Sequence, residues 1–319
     1  MVRPPVGESS QAEAMAPSGE VYAGPGVRQL AHELGVDLRN VKGTGPKSRI
    51  IKQDVFGYVK QRLTASPSGL APGERLEPAP KVDFSKFGEV EIEPLNKIRR
   101  STAANVHRSW VSIPHVTQFD EADITDLEEF RKKNKKKADD MGYKLTPLVF
   151  VMKAVVGSLK AFPHLNASLD APGENLILKK YFHISIAVDT ENGLVAPVIR
   201  DVDKKDIYAL AKELAEIGNK ARNKGLTPVD MAGSSFTISS LGGIGGTAFT
   251  PIVKQPDVAI LGVSKAAIKP VFQNEGFTPR LMLPLSLSYD HRVIDGALAA
   301  RFIVDLSKRL SDVESLANS

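Results

Sequence analysis

The stretch Leu285-Ser286-Leu287-Ser288-Tyr289-Asp290-His291-Arg292-Val293-Ile294-Asp295-Gly296 alternates apolar and polar residues over its first half and then breaks at a histidine. Alternation of period two is the signature of a strand, with Ser286, Ser288 and Asp290 on the face opposite the apolar set. An apolar helical pattern follows from Gly296, so the histidine sits where a strand hands over to a helix, on a rigid support. His291 is a candidate general base. Asp295, four residues later, can brace the local turn. Histidine and aspartate near a helix start also serve as caps, and spacing alone leaves both readings open.

Elsewhere along the chain, helices are expected over 95–110, 123–139, 146–162, 205–223 and 296–316, and strands over 116–123, 181–189, 235–239, 258–263 and 282–289. In the 181–189 strand, Phe182, Ile184, Ile186 and Val188 share one face, which predicts a half-buried strand. Mixed strands and helices over 83–319 predict one large α/β unit. Ahead of it, Val27, Leu30, Ala31 and Leu34 recur at helical spacing, and a second helix is expected from Lys52 to Leu63. Between these helices runs Val41-Lys42-Gly43-Thr44-Gly45-Pro46-Lys47-Ser48-Arg49-Ile50, a glycine-punctuated basic loop. Residues 21–63 are thus expected to form a small all-α domain near the lower size limit for independent folding. The Pro-, Gly-, Ser- and Ala-rich stretches 1–20 and 64–82 read as linkers.

Composition narrows the chemistry. The 319 residues are 42% hydrophobic, enough for a sizeable core. With no cysteine, disulfides, thiolate metal sites and a cysteine nucleophile are excluded. The six histidines lack metal-ligand spacing, so no metal is expected. No stretch has the length of a membrane span and the N-terminus lacks a signal-peptide core, so a soluble, cytoplasmic protein is expected. The net charge of +5 raises nucleic acid as a partner. Its densest cations, however, from Arg131 to Lys137, follow Asp123, Asp126, Glu128 and Glu129, an order that complements a helix dipole and favours a solvated helix end over a nucleic-acid surface.

The His291 segment resembles the active-site signature of the dihydrolipoyl acyltransferase components of 2-oxo acid dehydrogenase complexes, whose fold is similar to that of chloramphenicol acetyltransferase. Ile113-Pro114-His115-Val116-Thr117, Ala187-Val188-Asp189-Thr190-Glu191-Asn192-Gly193-Leu194, Phe236-Thr237-Ile238-Ser239-Ser240-Leu241-Gly242 and Ala259-Ile260-Leu261-Gly262-Val263 resemble further segments of that family, in the expected order. Residues 21–63 resemble its peripheral subunit-binding domain, and the linker between the two domains fits the same architecture.

The resemblance implies a two-layer α/β acyltransferase domain that moves an acyl group, most closely acetyl, between dihydrolipoamide and coenzyme A. His291 would remove the thiol proton, Ser239 would stabilise the tetrahedral oxyanion, and Asp295 would support the site's architecture. Taken by itself, Ser239 also reads as an ordinary strand serine. The resemblance further implies a homotrimer assembling into a larger core, with sites between subunits. It implies docking of dihydrolipoyl dehydrogenase, the 2-oxo acid decarboxylase, or both, through Arg28, Lys47 and Arg49. Gln29 and Pro46 stand where that family commonly has a basic residue, and Ser48 where it often has glycine. No lipoyl-lysine turn occurs among these residues, so the lipoyl group is expected from another domain or chain. A non-catalytic scaffold and an acyltransferase for succinyl or branched acyl groups are the alternative readings. The run Leu241-Gly242-Gly243-Ile244-Gly245-Gly246 lacks the lysine of a phosphate loop and is expected to let backbones approach closely.

Overall fold

The computed structural model describes residues 22–64, 81–223 and 225–317. The linker expected over 1–20 and most of that over 64–82 lie outside them. The chain divides into two compact units, Met1–Val90 and Glu91–Ser319.

In the first unit, α1 (Pro25–Glu33) starts with a proline at its first turn, where the missing N–H has no helical partner to lose. Gly35, at φ +62°, turns the chain out of the helix. The second helix, α2 (Lys52–Thr64), follows the basic loop. Val41, Ile50 and Val55 form the buried centre, with Val27, Leu30, Val36 and Leu38 packed around it. So small a core leaves the loop to be held by polar contacts. The Asp54 carboxylate accepts from the Ile51 N–H at 2.9 Å, the Thr44 N–H at 3.0 Å and the Thr44 hydroxyl at 2.7 Å. Gly43 is required because a Cβ there would lie 2.3 Å from the Ser48 carbonyl oxygen.

The second unit runs α3 (Lys97–Ser112), β1 (His115–Asp123), α4 (Thr125–Asp140), α5 (Pro147–Ala161), β2 (Ala167–Leu169), β3 (Leu176–Leu178), β4 (Ile184–Ile186), β5 (Val198–Ile199), α6 (Ile207–Arg222), β6 (Phe236–Ser240), β7 (Ala259–Val263), β8 (Ala267–Gln273), β9 (Gly276–Asp290), α7 (Gly296–Ser311) and α8 (Val313–Ala317). The main sheet has the order β1-β9-β7-β6-β4-β5, with β8 also paired to β9, while β2 and β3 form a separate hairpin. β6 lies parallel to β4 and β7, and β9 antiparallel to β1 and β7.

Strand alternation sets the layers. Phe236 and Ile238, Ala259 and Leu261, and Leu285, Leu287 and Tyr289 join one buried core with α5 and with Phe302, Ile303 and Leu306 of α7. This is the expected two-layer α/β arrangement, helices against one sheet face. Val149 to Val156 of α5 are all buried, Lys153 among them. Its ammonium donates to the Lys205 carbonyl at 2.9 Å, and burial pulls its pKa below the ordinary lysine value.

The expected helices and strands are found within a few residues, with informative exceptions. β4 shrinks to Ile184–Ile186: at His183 the backbone N–H donates to the Ser235 hydroxyl at 3.1 Å instead of to a ladder carbonyl, while the His183 carbonyl still accepts from the Ser235 N–H at 2.8 Å. Ser185 is fully buried as well and donates to the Ala196 carbonyl, so β4 is covered on both faces rather than half-buried. β9 begins at Gly276, earlier than expected, behind a turn with Asn274 at φ +50° and Glu275 at φ +63°. Positive φ at both central residues is what a tight hairpin turn demands, and the glutamate disguised it. The glycine run at 241–246 is not mainly a close backbone approach. Gly245 and Gly246 adopt φ +151° and +87° in open space, and a Cβ at Gly242 would come no nearer than 3.4 Å to the Ser264 carbonyl oxygen, an ordinary contact.

No helix among the described residues is long and apolar enough to cross a membrane.

Candidate active site

His291 follows the last residue of β9 and is exposed. Its position is fixed by its neighbours. The buried Asp290 carboxylate accepts from Arg292 Nη2 at 2.6 Å, Nε at 2.9 Å and the Arg292 backbone N–H at 3.0 Å, closing a clamp across His291. The Asp290 carbonyl accepts from the Val293 and Ile294 N–H groups, and the His291 N–H donates to the Pro114 carbonyl at 3.1 Å. The hydrogen bonds to the Asp290 carboxylate raise the Arg292 pKa. Tyr289 lies beneath, its ring 5.9 Å from the imidazole, and burial together with nearby Asp295 pushes its phenol up, so it stays protonated.

Asp295 is the N-cap of α7 and accepts from the Leu298 N–H at 2.7 Å. Its carboxylate thus fixes where the helix begins. Of the two roles left open by spacing, the structure gives it the cap.

Ser239 stands on β6, where Thr237 and Ser239 face away from the helical layer. Both line a cavity of about 660 Å³ walled by Ile98, Thr102, Asn105 and Val106 of α3, by Leu194 to Ala196, and by Phe249, Pro251, Ile252 and Lys254. That volume suits an extended small-molecule arm. The walls are largely apolar, with Ser239, Ser101, Thr102, Asn105, Thr190 and Asn192 among the polar side chains, Thr237 donating to the Asp257 carboxylate, and Lys254 as a cation. Gly262, the register partner of Ser239, lets Phe249 lie flat against the sheet, since a Cβ there would meet Phe249 Cζ at 2.7 Å.

His291 does not line this cavity. Ser239 pairs with Gly262 and Gly262 with Ser286, while His291 lies five residues beyond Ser286, just past the end of β9. With a rise of about 3.4 Å per residue and about 4.8 Å between strands, the two Cα atoms stand on the order of 20 Å apart. Within one chain the candidate base and the candidate donor are not brought together.

In the first unit, Arg28 and Arg49 converge on residues 22–24: Arg28 Nε donates to the Ala23 carbonyl at 3.2 Å, and the Arg49 guanidinium lies 5.2 Å from the centroid of the Tyr22 ring. Lys47 is exposed on the intervening loop at φ +56°.

Sequence reasoning missed Thr237, Asn105, Phe249 and Lys254 as cavity residues, and Asp290 and Arg292 as the clamp. Alternation along Phe236–Ser240 could have exposed Thr237, and an Asp and an Arg flanking His291 could have exposed the clamp. Nothing local marks Asn105 or Phe249. Among the described residues, no three His, Asp or Glu side chains gather as metal ligands.

The second unit is thus a two-layer α/β domain with an imidazole just past one strand end and a largely apolar cavity over another strand. Residues 87–318 match the 2-oxoacid dehydrogenases acyltransferase catalytic domain, and residues 21–56 match the E3 binding domain. The chain belongs to the 2-oxoacid dehydrogenase acyltransferase family. It is 55% identical over 300 residues to the dihydrolipoyllysine-residue acetyltransferase component of the pyruvate dehydrogenase complex of Pseudomonas aeruginosa, an alignment covering 93% of this chain and 55% of that protein. The Bacillus subtilis component of the same description is 39% identical over 96% of this chain and 70% of its own length. The chain thus spans about half the length of its more similar curated relatives. Among solved structures, it resembles that of the Azotobacter vinelandii dihydrolipoamide acetyltransferase studied for the roles of a serine, a histidine and an asparagine in its catalytic mechanism (55% identity, TM-score 0.75, 76% of this chain and 99% of that one). A cubic core of a pyruvate dehydrogenase multienzyme complex matches with TM-score 0.74, 55% identity and the same coverage.

Proposed function

We propose that this chain transfers an acetyl group between dihydrolipoamide and coenzyme A as the core component of a pyruvate dehydrogenase complex, with His291 as the general base. The observation that carries this reading is a spacing. In the Azotobacter vinelandii enzyme the serine precedes the histidine by 52 residues and the asparagine follows it by four. Ser239, His291 and Asp295 have the same separations. This chain has aspartate where that enzyme has asparagine, and an N-cap role suits either, since both accept from a backbone N–H.

His291 takes the proton of the attacking thiol, and the thiolate adds to the thioester carbonyl. The resulting oxyanion needs a donor already in place, which is typically worth about 3 to 4 kcal/mol, and the Ser239 hydroxyl supplies it. Collapse of the intermediate expels the other thiolate, which recovers the proton from His291. Because His291 and Ser239 of one chain stand so far apart, each site joins His291 of one copy to Ser239 of another, in a homotrimer that assembles into a larger core. The cavity over Ser239 receives a thiol-bearing arm. Coenzyme A is a substrate, the lipoyl group arrives on another domain or chain, and no metal takes part.

The domain limits that go with this reading are 21–63 for the docking domain and 83–319 for the catalytic one. The docking domain binds dihydrolipoyl dehydrogenase, the pyruvate decarboxylase, or both, through Arg28, Lys47 and Arg49, an electrostatic contact that weakens with salt. The complex works in the cytoplasm. The experiment is a coenzyme A transfer assay with dihydrolipoamide and acetyl, succinyl or branched acyl donors. Acetyl should dominate, and His291→Ala should lower the rate by roughly a thousandfold. Dominant succinyl transfer, or an unchanged rate in His291→Ala, overturns the reading.

A further inference from the structure

We infer that His115 is a positioning residue that ties the wall of the Ser239 cavity to the corner of the chain on which His291 is anchored. The inference rests on the acyl-transfer reading above and adds a residue to it.

His115 opens β1 and is half-buried. Its Nδ1 lies 2.8 Å from the Ile113 carbonyl oxygen, and its Nε2 lies 3.0 Å from the Val253 backbone nitrogen. A carbonyl only accepts and a backbone N–H only donates, so both contacts are satisfied by one state alone: a neutral ring carrying its proton on Nδ1. Trp110 stacks on that ring at 5.5 Å and holds its plane. The tether matters at its far end because Val253 is fully buried against Ile113 and Ile260, where its N–H has no access to water. Pro251, Ile252 and Lys254, on either side of Val253, form the cavity wall. A second tether, from Gln255 Nε2 to the Ser112 hydroxyl at 3.1 Å, fastens the same segment to the same corner.

The other side of this corner faces His291. Pro114, the residue before His115, offers its carbonyl to the His291 N–H. Residues 112–115 therefore grip the cavity wall with their side chains and the His291 turn with their backbone.

The test uses the full chain and two substitutions that divide the ring's functions. His115→Gln keeps an acceptor within reach of the Val253 N–H. His115→Asn can still donate to the Ile113 carbonyl but is too short to reach Val253. His115→Asn is expected to raise the KM for coenzyme A or dihydrolipoamide by about fivefold or more with a smaller effect on kcat, whereas His115→Gln stays within about twofold of the parent. Equal behaviour of the two variants, or a fall in melting temperature with KM unchanged, overturns the inference. If His115→Asn does not assemble, Gln255→Ala cuts the second tether: a raised KM supports the inference and an unchanged one overturns it. If the parent chain shows no transfer, the functional reading fails on its own. Amide exchange at Val253 then decides this one: protection lost in His115→Asn and kept in His115→Gln supports the tether, and equal protection overturns it.

Discussion

Ser239 on β6 and His291, just past the end of β9, belong to strands with only β7 between them, yet stand about five residues out of register, on the order of 20 Å apart. Neither can serve the other's chemistry within the chain, so their individual loss should look different. On the proposed mechanism His291→Ala removes proton transfer, whereas Ser239→Ala removes one oxyanion donor and should cost about a hundredfold to a thousandfold in kcat with little change in KM. Steady-state kinetics at saturating substrate checks this. A large KM effect with normal kcat would make Ser239 a ground-state contact.

The close packing at Gly262 gives a prediction about the cavity. In Gly262→Ala the new methyl meets the Phe249 ring at 2.7 Å, and an aromatic ring cannot bend away. Phe249 should swing into the cavity, at a cost of about 1 to 3 kcal/mol. The expected readings are a lower melting temperature and a raised KM for whichever substrate enters over Ser239.

Asp54 predicts a pH dependence for the small unit. The Ile51 N–H, then the Thr44 hydroxyl and N–H, hold its carboxyl below the ordinary aspartate value. The folded state therefore releases this proton more readily than the unfolded chain. The stabilisation is complete above the unfolded pKa of about 3.9 and is lost as pH falls through the lower folded value. Hydrogen exchange at the Thr44 and Ile51 amides should be flat from about pH 5 to 8, after correction for intrinsic rates, and protection should fall in more acidic solution. Asp54→Asn should lower protection throughout and remove that acid step.

The hairpin turn offers a gain in stability. Glu275 adopts φ +63°, a left-handed conformation that costs a non-glycine residue roughly 1 to 2 kcal/mol. Glu275→Gly should raise stability by about 1 kcal/mol, less the extra entropy of glycine in the unfolded chain. Chemical denaturation reads it directly, and no gain would mean that the turn is not strained at Glu275.

Much of this was legible in the residues themselves. Alternation placed Leu285, Leu287 and Tyr289 toward the core and His291 at a strand end, because periodicity is a local property. Register is not local, and no pattern in the chain says that Ser239 lies opposite Gly262 or that His291 overshoots it. The β8–β9 hairpin stayed hidden because Asn274-Glu275 does the work usually given to Asn-Gly. The role of His115 stayed hidden because its partner, Val253, is a backbone group far along the chain. Asp295 was legible as a residue but ambiguous as a function until the Leu298 contact made it a cap.

The division of one site between two copies is tested most directly by mixing. His291→Ala and Ser239→Ala chains, each expected to keep no more than about a hundredth of the parent's activity, are to be unfolded, combined in equal amounts and refolded together. If each site takes its histidine from one copy and its serine from the next, random assembly leaves both groups intact in about a quarter of the sites, and activity should recover to about a quarter of the parent's. Recovery no greater than the average of the two separately refolded variants, with the parent regaining activity under the same treatment, would contradict it.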